Sequence, residues 1–83
     1  FGAYPNPSNG STKIHFEITE KGSNSLNIYD ITGRKVFETN LSDLDAGKHQ
    51  INWDADGALK NGIYLYELNS NGKKTTKKMI LSR

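Results

Sequence analysis

The chain has no cysteine, and that absence alone excludes a disulfide scaffold, a thiolate zinc site and a thiol nucleophile. Long apolar runs are missing too. The longest is Ile63-Tyr64-Leu65-Tyr66, far short of the roughly 20 residues a membrane-crossing helix needs and of the apolar stretch of a signal peptide. No transmembrane segment is therefore expected. A strong charge of either sign is also lacking: 11 basic against 9 acidic residues leave +2, too weak a field to argue for nucleic acid. Apolar residues make up only 34% of 83, enough for one modest core, so residues 1–83 are read as a single domain. Phe1 is not an initiator Met. The chain is accordingly expected to be a fragment, with any export signal lying upstream.

What the sequence does have is turn chemistry. Gly (8), Ser, Thr and Asn recur as punctuation at Asn9-Gly10, Gly22-Ser23-Asn24, Thr32-Gly33, Ala46-Gly47, Asp56-Gly57, Asn61-Gly62 and Asn71-Gly72, a spacing of about ten residues that marks many short strands. Between these marks the side chains alternate with the period of two of a half-buried strand. Ile14, Phe16 and Ile18 share one face, and Lys13, His15 and Glu17 the other. Strands are predicted over 1–4, 12–18, 25–30, 34–40, 50–53, 62–69 and 75–82. Tyr64, Tyr66 and Leu68 face one way while Ile63 and Leu65 face the other, so 62–69 reads as a central strand buried on both sides. Asp30-Ile31-Thr32-Gly33 reads as a type I turn joining a hairpin, the Asp carboxylate accepting from backbone amides and Gly taking positive φ. No segment repeats apolar residues at helical spacing. Together these predict an all-β, immunoglobulin-like antiparallel sandwich without its disulfide.

Candidates for chemistry are few. His15 stands on a polar strand face and His49 beside a turn, neither with a nucleophile nearby in sequence, and the Ser and Thr hydroxyls have local backbone partners in turns. The chain reads as non-enzymatic, with no cofactor. Asn52-Trp53-Asp54-Ala55-Asp56-Gly57 begins like a calcium loop, but Ile63 stands where a bidentate Glu should close the shell, so a turn bonded by Asp54 and Asp56 is the better reading. Trp53, Tyr64 and Tyr66 could form a sugar platform. They suit a core better: Trp53 shares a face with Ile51, and Tyr64, directly after Gly62, is placed to pack inside while its hydroxyl finds a backbone partner. Tyr4 and Tyr29 remain for the surface.

Charge is unevenly spread. Lys73, Lys74, Lys77, Lys78 and Arg83 lie in the last eleven residues, which contain no acid. Alternation puts Lys74 and Lys78 on one face and Lys73 and Lys77 on the other. Lysine protects an edge strand from recruiting another chain, and a terminal electropositive strand is equally what a partner reads, by charge or by strand addition. Sequence physics leaves both open.

Five motifs in order, Tyr4-Pro5-Asn6-Pro7, Ile28-Tyr29-Asp30-Ile31-Thr32-Gly33-Arg34, Ala46-Gly47-Lys48-His49 before Trp53-Asp54, Asn61-Gly62-Ile63-Tyr64 and Lys77-Lys78-Met79-Ile80-Leu81, make the chain resemble the type A C-terminal sorting domain of the Bacteroidetes type IX secretion system over nearly its whole length. The resemblance implies an address for a passenger that precedes it in the same chain and enters the periplasm by its own signal. Its partners would be the outer-membrane translocon and a surface sortase that cuts upstream of the domain. The passenger would end at the cell surface or outside the cell. The family motif positions, expected to serve partner recognition, are Pro5, Asn6, Pro7, Gly33, Arg34, Gly62, Tyr64, Lys74, Lys77 and Lys78. The stretch from Asp30 to Leu81 is also similar to the immunoglobulin-like domain of flagellar hook-capping proteins, which would imply a scaffold role in assembly. A carbohydrate-binding sandwich is the third reading.

Overall fold

Alternation is the cause of the architecture. The computed structural model describes residues 2–4, 11–54 and 59–82, the first of these as backbone. It contains six strands of six to nine residues, β2 Ser11–Ile18, β3 Asn24–Asp30, β4 Lys35–Asn40, β5 Gly47–Asp54, β6 Gly62–Ser70 and β7 Lys73–Leu81, preceded by the three-residue β1 Gly2–Tyr4. No helix occurs among the described residues. All pairings are antiparallel, in a three-stranded sheet of order β1-β2-β5 and a four-stranded sheet of order β4-β3-β6-β7. β4 joins the sheet of β3, β6 and β7, the side on which variable-type immunoglobulin sandwiches add their extra strand.

The inward faces meet in one core. β2 contributes Ile14, Phe16 and Ile18, β3 Leu26 and Ile28, β6 Tyr64, Tyr66 and Leu68, and β7 Met79 and Leu81. Trp53 of β5, 4% exposed, stitches the layers: its ring centroid lies 6.5 Å from that of Phe37 on β4 and 6.3 Å from that of Tyr64 on β6. Tilted aromatic pairs at such spacings add to the burial of their area. With Trp53, Tyr64 and Tyr66 all buried, these three rings offer no sugar platform. Tyr29 is half-buried.

Two expectations need correction. β6 is indeed central, yet only its inward face is buried, and Ile63 remains 39% exposed. In a two-layer sandwich the outer face of even a central strand borders solvent. Asn24, read as part of a turn, is instead the first residue of β3 and 2% exposed. Its amide nitrogen donates to the Glu20 and Gly22 carbonyls, and its oxygen accepts from the Ser70 hydroxyl. Asn71 reinforces this end: at φ 52 it opens the β6–β7 hairpin, its side-chain oxygen accepts from Ser23 N, and its amide donates to Glu20 O. The 19–23 loop and the β6–β7 hairpin are thus bonded together at one pole of the sandwich.

Candidate functional site

The opposite pole is built from the motifs. Asp30 closes β3, and its backbone pairs with Tyr64 of β6. One carboxylate oxygen accepts from Thr32 N at 3.0 Å, Arg34 N at 3.0 Å and the Thr32 hydroxyl at 2.6 Å, while Gly33 N donates to Asp30 O at 3.0 Å. The other carboxylate oxygen lies 3.2 Å from Arg34 Nε. The Thr32 hydroxyl, the amides of Arg34 and Thr32 and the Arg34 guanidinium hold the Asp30 carboxyl below its ordinary range. Gly33 at φ 92 supplies the positive torsion that ends the turn.

Across from this turn, Tyr64 buries its ring and donates its hydroxyl to Lys60 O at 2.7 Å. That bond fixes the segment leading from Leu59 to Gly62, where Gly62 enters β6 at φ 150. The two motifs face each other across a cleft of about 550 Å³ lined by Asp30, Arg34, Leu59, Lys60, Ile63 and Tyr64, among others. Of the expected recognition positions, Gly33, Arg34, Gly62 and Tyr64 therefore belong to one place. Tyr64 and Gly62 shape it, and Arg34, its side chain 71% exposed, is displayed there.

The lysines are dispersed. β7 is an edge strand. Lys78 pairs with Leu65 and Lys74 with Asn69 on the outer face, Lys74 near the far end, and Lys77 takes the inward parity opposite Tyr66, beyond the buried part of the strand. Met79 and Leu81 point into the core, so only Ile80 of the apolar terminal trio is presented to solvent. Pro5, Asn6 and Pro7 lie outside the described residues, as does Asp56 of the calcium-like stretch. Tyr4 and Ser11, which flank the Pro-Asn-Pro motif in sequence, both stand toward the pole of the 30–34 turn, since Tyr4 pairs with Lys13 and Ser11 with Asp54.

His49 stacks on Phe16, with centroids 5.9 Å apart, and its Nε2 lies 2.7 Å from Asp45 O. His15 sits on the outer face of β2, paired with Gln50. Among the described residues no three His, Asp or Glu side chains gather as metal ligands. Sequence reasoning missed Leu59, Lys60 and Ile31 as contributors to the cleft. The available signal was Ile31 itself, a large β-branched residue in a turn that normally favours Pro or polar types.

What these elements bring together is a cleft between turns and strand ends at one pole of a small, all-β sandwich. A family model described as the secretion system C-terminal sorting domain matches residues 2–82, and the chain belongs to that family. A search of curated proteins gave no match.

Proposed function

We propose that this domain directs a passenger preceding it in the same chain across the outer membrane through the type IX translocon, and that a surface sortase then removes it. Membership of the sorting-domain family over residues 2–82 is the observation that carries this reading. The convergence of Asp30, Gly33, Arg34 and Gly62 at one pole, over the buried Tyr64, supports it, because residues distant in sequence gathered around a solvent-facing cleft suit a partner. The exposed Lys74, Lys77 and Lys78 of edge strand β7 add an electropositive flank.

The test is a passenger with its own periplasmic signal, fused ahead of Phe1 in a Bacteroidetes host and measured in the periplasm and outside the cell. The unmodified fusion should leave the cell, and its retention in the periplasm would overturn the sorting reading. In Lys74→Glu, Lys77→Glu and Lys78→Glu combined, the melt should stay nearly intact, since exposed charges contribute little to folding, while export should fall. Normal export of this folded triple variant would reduce the lysines to edge protection.

A further inference from the structure

Among the described residues three large aliphatic side chains are exposed: Ile31 at 70%, Ile63 at 39% and Ile80 at 37%. Singly such residues need no explanation, but these are gathered. The register sets Ile63 opposite Ile80, and Ile31, in the turn directly after Asp30, whose partner is Tyr64, lines the same cleft as Ile63. A row of isoleucines therefore stands at the neighbouring ends of β3, β6 and β7. Ile31 and Ile63 also line the 550 Å³ cleft whose floor includes Leu59 and Tyr64.

The charge beside this row is basic once pairs are set aside. Asp30 and Arg34 compensate each other in an ion pair, while the exposed Lys60 rims the cleft and Lys78 stands one step along the sheet, opposite Leu65. Strands about 4.8 Å apart give the row a span of about 10 Å, the length of three residues of extended chain. We propose that the isoleucine row and cleft are the seat of an extended segment of the receiving protein in which apolar side chains alternate with carboxylates. The apolar groups cover the row and enter the cleft, and the carboxylates meet Lys60 and Lys78. A flat anionic membrane would meet the row and the charges but leave the cleft unfilled. This proposal rests on the sorting reading and deepens it by giving the partner's chemistry.

The experiment is an amide NMR titration of the 83-residue chain with the acetylated, amidated pentapeptide Glu-Ile-Glu-Leu-Glu, and with Lys-Ile-Lys-Leu-Lys as control. Saturable shifts at Ile31, Thr32, Gly62, Ile63 and Ile80 are expected with the acidic peptide only. Lys60→Glu and Ile63→Ser, each confirmed as folded by its melt, should weaken binding at least fivefold. Absent shifts, shifts spread over both poles, equal response to the basic peptide, or the same residues responding only to phosphatidylglycerol vesicles or to protein concentration would overturn the proposal. Export separates the two levels: if the unmodified fusion is exported and the Lys60→Glu, Ile63→Ser fusion is exported equally well, the seat is wrong and the sorting reading stands. If the unmodified fusion stays in the periplasm, the sorting reading itself fails.

Discussion

Asp30 organises its surroundings through charge as well as shape. Its folded pKa is depressed below 3.8, so the folded chain binds fewer protons there than the unfolded chain in the acid range. The associated stability is fully present above the unfolded Asp value and is lost as pH falls through the lower folded value. Asp30→Asn keeps the outline and an acceptor oxygen but removes the charge. It should melt below the wild type at neutral pH, and thermal melts carried into acid below the ordinary Asp range should show the gap closing. A gap independent of pH would mean that the side chain acts by shape alone. This turn was legible in the sequence because its partners lie within four residues. The cradle of Asn24 was not: its partners include Ser70, which only the register of β3 on β6 supplies, and Asn read in isolation is a turn former.

At the level of strands, β7 is where protection and presentation meet. Lys74 and Lys78 stand on the outer face of an edge strand, the placement that discourages pairing with a second chain. Replacing both with Thr should leave the fold in place and introduce concentration-dependent self-association, read by light scattering; a monomer unchanged across concentration would remove edge protection as their role. The strands followed from alternation where one face is polar, and β2 shows this residue by residue, with Ile14, Phe16 and Ile18 in and Lys13 and Glu17 out. Alternation failed on β6, where Ile63 and Leu65 made both faces look interior. It also shortened β5, which extends back to Gly47, because Lys48 and His49 carry little apolar signal. Ile31 stood out in the sequence as a large residue in a turn, but its meeting with Lys60 and Ile63 at one cleft did not: hydrophobic pattern reports which residues avoid water, not which exposed ones converge when distant strands pair.

For the whole molecule, Trp53 is the natural reporter, since it touches β4 and β6 from the opposite sheet. Native emission should be blue-shifted and should move to the red in a single transition coincident with the loss of β-sheet circular dichroism. An emission maximum equal to that of the unfolded chain would contradict its burial. The two sheets also give the molecule a direction. β1 runs antiparallel to β2 from Gly2, paired with His15, to Tyr4, paired with Lys13, so Gly2 is its end farther from the pole of the 30–34 turn and Tyr4 the end nearer to it. The surface there draws Ile31 from the end of β3, Ile63 from the start of β6 and Ile80 from the end of β7. None of these forms it alone, and the last is delivered by β7, which reaches its place only by pairing with β6. An unfolded chain carries every motif in its sequence but does not bring Ile31, Ile63 and Ile80 to one place. The surface at this pole therefore exists only once β3, β6 and β7 have paired, and an encounter with it is an encounter with a folded sheet.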